Sequence, residues 1–186
     1  MGRGHGGSRG GGPGGGGLAR NLANREREIK DSLNERMSIF DENGKELYRK
    51  ENGDATSVSF SEGKQFMKGN IYTHNHPSGS SFSERDLVVA ATYDVKEMRA
   101  VSKGVTYSLK SSKFQWGLYG KDKQGTIGVA WSDAKKRVTS RLKDYVFGYK
   151  GNKQQALDRA DRIMGHMVVK EVAKKMGWEY SHSRSS

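Results

Sequence analysis

The sequence contains no cysteine, only two prolines and no long apolar run. The absence of cysteine excludes disulfide bonds and thiolate metal ligands, and it fits a reducing compartment. Any metal ion must therefore be held by His, Asp, Glu or main-chain oxygen. No apolar stretch approaches the roughly 18 residues that a transmembrane helix needs. The start of the chain lacks the apolar segment of a secretory signal, and its glycine run follows no strand, which excludes a nucleotide-binding loop there.

Basic residues clearly outnumber acidic ones. The 186 residues include 33 Lys and Arg against 21 Asp and Glu, a formal net charge of +12, and the pI is about 9.8. This balance predicts a polyanionic partner such as nucleic acid, an acidic protein or an anionic surface. The basic residues are spread along the chain, without a compact basic block interleaved with aromatics. We therefore expect loose, salt-sensitive attraction to nucleic acid rather than sequence-specific recognition.

Composition divides the chain into four segments, of which the last two form one domain. Residues 1–17 contain eleven glycines and are predicted to be a disordered tail, because they cannot bury enough apolar surface to offset their chain entropy. Residues 18–34 are interpreted as a linker helix with only a thin apolar stripe. Residues 35–120 are predicted to form the core of the domain. Residues 121–186 are predicted to form a hairpin and helices that pack on it, with the last few residues disordered.

Alternating apolar residues predict several short strands. The segments "SIF" and "ELYR" flank a turn at Asn43-Gly44, which is a strong hairpin signal. The other predicted strands are "TSVSF" at 56–60 and a short strand in "FMKGNIYTHNHP" that ends at the histidines. The segment "MRAVSKGVTYSLK" is a strand pair or one strand with a bend, and "FQWGLYG" with "TIGVAW" is predicted to form a hairpin.

Apolar residues at helical spacing predict four helices. They begin near Leu18, at "SERDLVVAATYD", at "SDAKKRVTSRLKDYVFGY" with Ser132 as N-cap, and at "NKQQALDRADRIMGHMVVKEVAKKMGW", which Gly177 should end. The apolar face predicted for the last helix is formed by Leu157, Ala160, Met164, Met167, Val168 and Val172. Strands and helices together predict an α+β fold, in which helices pack on a mostly antiparallel sheet.

The stretch "NIYTHNHPSGSSFSERDLV" at 70–88 has the features of a metal site. His74 and His76 are two residues apart at a strand end, so their side chains point the same way. Asp86 lies in the first turn of the following helix and could reach back as a third ligand. Two histidines and one carboxylate, with one open position, form the ligand set of a hydrolytic zinc site.

Each part of this stretch also has a purely structural interpretation. Ser83-x-x-Asp86 is a capping box, in which the two side chains satisfy the free amides at a helix start. Residues 77–80 are a turn, and His-x-His in a strand is common. The conjunction of all three, in this order and within 13 residues, favours the metal site.

The same order of residues resembles the pattern of the JAMM/MPN+ metalloprotease superfamily: an upstream Glu, His-x-His-Pro, a loop, and Ser-x-x-Asp opening a helix. The segment "HNHPSG" is most similar to RadC-like proteins and to JAMM domains attached to phage head-morphogenesis proteins. The resemblance covers roughly residues 35–110. It implies a JAMM/MPN-like (cytidine-deaminase-like) fold and a Zn²⁺ ion bound by His74, His76 and Asp86. The interval from His76 to Ser83 is one residue shorter than in the family.

The resemblance also implies two catalytic residues. Ser83 would hydrogen-bond the catalytic water or the oxyanion. A glutamate would act as general base from the start of an early strand that runs beside the His-x-His strand. Glu35, directly before "MSIF", fits this place. Glu51 and Glu62 are nearer the histidines in sequence but lie in predicted turns.

Three functions follow as hypotheses. The first is a zinc-dependent hydrolase that cleaves a peptide or isopeptide bond, associated with a phage or mobile element. The second is a phage virion or head-assembly module that keeps the metal-binding fold and contacts capsid or portal protein. The third is a basic protein that associates with nucleic acid. The expected location is the host cytoplasm or the virion, and no membrane partner is expected.

Overall fold

The computed structural model describes residues 15–53 and 61–184. Within these ranges it contains one sheet and four helices. The strands are β1 (Met37–Phe40), β2 (Glu46–Lys50), β3 (Ile71–Asn75), β4 (Glu97–Ser102), β5 (Val105–Lys110) and β6 (Glu179–Arg184). The helices are α1 (Gly15–Ile29), α2 (Glu84–Thr92), α3 (Lys123–Gly148) and α4 (Lys153–Met176). Short 3-10 turns occupy Lys64–Phe66 and Phe114–Gly117.

The six strands form a mixed sheet in the order β2-β1-β3-β4-β5-β6. Every neighbouring pair is antiparallel except β3 and β4, which are parallel. A parallel pair needs a crossover connection, and α2 lies in the one that joins β3 to β4. The predicted α+β class and the mostly antiparallel sheet are therefore confirmed.

The two faces of the sheet differ in what covers them. One face packs against α2, α3 and α4 around the main apolar core, which includes Met37, Met98 and Leu109. The other face contacts α1, the helix predicted as a linker. The thin apolar stripe of α1 is buried there, since Leu22 and Ile29 are almost fully covered.

The predicted β1–β2 hairpin is present, and of the two alternatives for "MRAVSKGVTYSLK" the structure shows the strand pair, β4 with β5. In the first, Asp41 Oδ1 accepts hydrogen bonds from the main-chain amides of Asn43 and Lys45. Gly44 follows with a φ of +87°, a conformation that glycine adopts without steric cost. The strand predicted at 56–60 lies outside the described residues.

The hairpin predicted from "FQWGLYG" and "TIGVAW" is wrong. The first segment contains a 3-10 turn, and the second lies inside α3. Asp122 caps α3 by accepting from the Gly125 amide, so the predicted N-cap Ser132 is inside the helix. The β-branched residues suggested a strand, but burial at Ile127, Ala130 and every fourth residue after it shows that packing selected the helix.

The longest predicted helix is confirmed as α4. Asn152 caps its start, and Gly177 ends it in the left-handed conformation, with a φ of +71°. Leu157, predicted on the buried face, is instead 45% exposed. The buried face is formed by small and β-branched residues, which allow close packing against α3: Ala156, Ala160, Val168, Val169, Val172 and Ala173.

The ends of the chain differ from the prediction. Residues 179–184 form the edge strand β6, which pairs with β5 along its whole length. The disorder predicted for the last few residues is therefore wrong for residues 179–184. Residues 15–17 of the predicted tail belong to α1, and residues 1–14 lie outside the described ranges. No helix in the described part of the chain combines the length and apolarity needed to cross a membrane.

Candidate metal centre

The two histidines lie at the end of a central strand. His74 belongs to β3, between Met37 of β1 and Ala100 of β4 in the register. His76 follows β3, and its amide donates to the carbonyl of Val101 at 2.9 Å. This bond continues the extended course of the chain, so both imidazoles lie on the same side. Their side chains are only 1% and 7% exposed.

Asp86 is held by the capping box at the start of α2. Its Oδ2 atom accepts from the amide and the hydroxyl of Ser83, both at 2.7 Å, and the Asp86 amide donates to Ser83 Oγ. The other oxygen, Oδ1, lies 3.4 Å from His74 Nε2. The structural interpretation of Ser-x-x-Asp is therefore confirmed, and the cap directs the carboxylate toward the histidines.

The three side chains converge on one point. The Nε2 atoms of His74 and His76 are 2.8 Å apart, and His76 Nε2 lies 3.5 Å from Asp86 Oδ2. One ligand atom from each residue lies within 4.8 Å of the others. Ligand atoms around a tetrahedral zinc are separated by about 3.3 Å, given bonds of about 2.0–2.1 Å. Within the described ranges, this is the one His, Asp and Glu cluster whose geometry could hold a metal ion.

The surroundings orient both rings for such a site. His76 Nδ1 lies 2.8 Å from the carbonyl of Ser81, and because a carbonyl only accepts, this nitrogen carries the proton. In the neutral ring, Nε2 of His76 then has the lone pair that a metal ion needs, an arrangement typical of metal-ligating histidines. The His74 ring packs against the rings of Tyr72 and Phe82. Its Nδ1 atom is buried and has no hydrogen-bond partner among the described residues.

The charges of the cluster reinforce one another. Burial acts to raise the pKa of Asp86, but the charge and hydrogen bond of His74, followed by those of His76, hold it well below its usual value. Burial acts to lower the pKa of His76, but Asp86 and then the charge of Glu35 raise it above its usual value. Asp86 is therefore ionised at neutral pH, as a metal ligand must be.

Glu35 lies beside this cluster. The β1–β3 pairing continues beyond Met37, since the Arg36 carbonyl accepts from the Asn75 amide and the Arg36 amide donates to Asn75 Oδ1. One further step in this register places Glu35 across from His76. Glu35 is half-buried, and its charge raises the pKa values of both His76 and Tyr72.

The two alternative glutamates have other surroundings. Glu51 forms ion pairs with Arg25 at 2.9 Å and with Arg36 and Arg49 at longer distances. Glu62 lies just before a 3-10 turn. The pKa of the Tyr48 phenol is raised by burial first, and by the charge of Glu62 second. Of the three candidates, Glu35 is the one whose charge acts on a histidine of the cluster.

Two contributors had no signal in the sequence. The Ser81 carbonyl, which fixes the His76 tautomer, is a main-chain group that any residue supplies. Phe82 is almost fully buried and packs beside His74, but one aromatic residue in a polar loop does not reveal its neighbour. Ser83, predicted to contact water or an oxyanion, is exposed, and its hydroxyl donates to Asp86.

Comparisons with known proteins add no relative. No protein-family model matches the chain, and no curated protein or solved structure matches it. The resemblance described above therefore depends on the motif residues alone, and the inference of function depends on the geometry of the cluster.

Proposed function

We propose that this protein is a zinc-dependent hydrolase of JAMM type that cleaves a peptide or isopeptide bond. The observation that carries the proposal is the convergence of His74, His76 and Asp86 within 4.8 Å, at the end of a central strand. Glu35 lies beside them, where a general base would be needed. The proposal includes a JAMM/MPN-like fold. It is supported by the order of Glu35, the strand β1 that follows it, an antiparallel His-x-His strand and a helix that opens with Ser-x-x-Asp.

The donor set favours zinc over other common cations. Two imidazole nitrogens and one carboxylate oxygen suit Zn²⁺, whereas Ca²⁺ and Mg²⁺ prefer sites built only from oxygen. Three protein ligands leave the fourth tetrahedral position open, as in catalytic rather than structural zinc sites. A zinc ion bound there would supply a water-derived nucleophile at neutral pH and polarise the scissile carbonyl.

The residues of the chain would then divide the remaining work. The Glu35 carboxylate takes a proton from the attacking water as the water oxygen bonds to the carbonyl carbon. The C–N bond breaks next, and Glu35 returns the proton to the leaving amine nitrogen. Asp86 stays ionised and in place because the capping box binds its second oxygen. Ser83 secures Asp86 through its hydroxyl. To contact the substrate oxygen as a donor, this hydroxyl would turn from Asp86 to the substrate.

The biological setting is part of the same proposal. The similarity of "HNHPSG" to phage-borne domains suggests an association with a phage or mobile element. Capsid or portal protein is then the expected substrate or partner.

The decisive experiment combines metal analysis with a peptidase assay on three variants. We expect about one zinc per chain in the wild type and none in a His74→Ala, His76→Ala double variant, by mass spectrometry of the desalted protein. Glu35→Gln should retain zinc but lose cleavage of a peptide library by at least about a hundredfold, since general acid–base catalysis contributes 10²–10⁴-fold. Glu62→Gln is the matched control and should keep both zinc and activity.

The outcomes separate the parts of the proposal. Equal zinc in the wild type and the double histidine variant would remove the metal centre. Full activity of Glu35→Gln, with zinc retained, would remove Glu35 as general base. Zinc binding without cleavage of any peptide by the wild type would instead favour the assembly module that keeps the metal-binding fold.

A further inference from the structure

The positive charge of the chain is concentrated on two helices. Residues 123–176, which span α3 and α4, contain thirteen Lys and Arg against five Asp and Glu. Lys150 lies in the loop between the helices, so the two helices themselves carry +7 of the total formal charge of +12. The two helices lie side by side along much of their length, so one contiguous segment of the chain forms a strongly basic part of the molecule.

Part of this charge is neutralised between the helices. Arg137 and Arg141 of α3 both contact Glu171 of α4, at 3.3 and 2.6 Å. Lys175 of α4 contacts Asp133 of α3 at 3.1 Å. These pairs hold the two helices together on one side and leave the lysines on the other side of α3.

The outer face of α3 is formed by Lys135, Lys136, Thr139, Ser140 and Lys143. These residues line one shallow surface depression, and their spacing of three and four residues places them on one side of the helix. The three lysines are exposed, and no ion pair in the described part of the chain involves them. The buried residues of α3 lie on the opposite side of the helix.

An exposed aromatic residue extends this face. Phe147 lies one helical turn beyond Lys143 and is 79% exposed. The rings of Tyr145 and Tyr149 lie 5.8 Å apart at the same end of the helix, and Lys150 follows in the loop to α4. Phe147 is exposed to water and does not contribute to the apolar core. Basic side chains beside an exposed aromatic ring are the combination by which proteins bind single-stranded nucleic acid.

We propose that the outer face of α3, with Phe147, binds single-stranded nucleic acid without sequence preference. Lys136 and Lys143 are seven residues apart, about 10.5 Å along the helix, and bind two phosphates of one strand that have a third phosphate between them. The hydroxyls of Thr139 and Ser140 contact the phosphate and sugar oxygens between them. Phe147 stacks on an unpaired base, which a duplex does not present. The surface is separate from the metal centre, so the inference does not depend on the proposed hydrolase.

Binding of the full chain to a fluorescent oligo-dT strand tests this surface. We expect a Lys136→Gln, Lys143→Gln variant to bind about tenfold more weakly at low salt. Its slope of log K against log salt should be shallower by about 1.4, since each phosphate contact with a single strand contributes about 0.7. A Lys45→Gln, Lys103→Gln variant is the matched control. It loses the same charge from two exposed turns on the sheet and should keep the wild-type slope.

A second variant tests the aromatic residue. Phe147→Ala should weaken binding about tenfold while the salt slope is unchanged, because stacking releases no counterions. Phe147 is exposed, so this variant should fold normally, and its melting temperature checks that. Equal losses of slope in the two double-lysine variants would overturn the proposal. So would wild-type affinity in Phe147→Ala, or equally effective competition by polyglutamate of the same total charge, which would indicate an acidic protein partner.

Discussion

Asp86 has two separable roles, and two substitutions distinguish them. Its Oδ2 atom completes the capping box with Ser83, while Oδ1 faces His74. Asp86→Asn keeps a carbonyl oxygen that can accept from Ser83 but removes the charge that a metal ion needs. Ser83→Ala removes the hydroxyl from the cap but leaves the carboxylate in place. The first variant should lose zinc binding, and the second should keep zinc binding and lose helix stability.

The expected magnitudes follow from these contacts. Loss of an N-cap hydroxyl costs about 1 kcal/mol, which lowers the melting temperature of a domain of this size by about 2–4 °C. Zinc at one hundred times its Kd adds about 2.7 kcal/mol to the free energy of unfolding, or about 5–11 °C. Ser83→Ala should melt lower but show a zinc-induced shift close to that of the wild type. Asp86→Asn should also melt below the wild type without zinc, because it removes a charge whose pKa the histidines hold well below its usual value, but it should show less than half of the zinc-induced shift.

Thermal unfolding is followed by circular dichroism, first with EDTA and then with added zinc. For each variant it gives the melting temperature without zinc and the zinc-induced shift. The same zinc-induced shift in Asp86→Asn as in the wild type would refute the carboxylate as a ligand. Loss of the shift in Ser83→Ala alone would show that the hydroxyl, rather than the carboxylate, is what the metal ion requires.

Three further predictions test other parts of the structure. Asp86 and Glu35 raise the pKa of His76 above 6.5 against the effect of burial, so this group stabilises the metal-free fold below pH 6.5 and loses that contribution as the pH rises through the raised value. Because zinc competes with this proton, the zinc-induced melting shift should grow over the same pH interval, and a shift independent of pH would contradict the assignment. Trp116→Phe should lower the free energy of unfolding in urea by about 2 kcal/mol. The buried indole donates to the Val95 carbonyl, and the variant leaves that acceptor unpaired. An unchanged urea midpoint would be inconsistent with this bond. Gly177→Ala should cost about 1 kcal/mol in the same assay, because its φ of +71° is strained for any residue with a Cβ, and a stabilised variant would argue against the αL cap.

The local elements near the site could be predicted because short-range chemistry specifies them. The Asn43-Gly44 turn, the strand that ends at the histidines and the capping box at Ser83 each depend on residues within a few positions of one another. The period of a strand places His74 and His76 on the same side. These facts indicated which three side chains could share a metal ion before any tertiary contact was known.

Other features depend on contacts between distant segments, which local sequence patterns do not contain. The sequence "TIGVAW" favours a strand by its β-branched residues, but burial against α4 and the sheet selects a helix. Residues 179–184 are polar and become a strand only because β5 offers an unpaired edge. The position of Glu35 across from His76 follows from the β1–β3 register.

The amino-acid sequence by itself determined the chemistry that is available: two imidazoles, one carboxylate, no thiolate and a large excess of positive charge. The tertiary structure alone decided where that chemistry acts. Pairing of strands and packing of helices bring residues together across long stretches of chain. They bring the start of α2 to the end of β3, where Asp86 meets the two histidines. They also place Glu35 across from His76 and bury the opposite side of α3, which leaves Lys136 and Lys143 exposed.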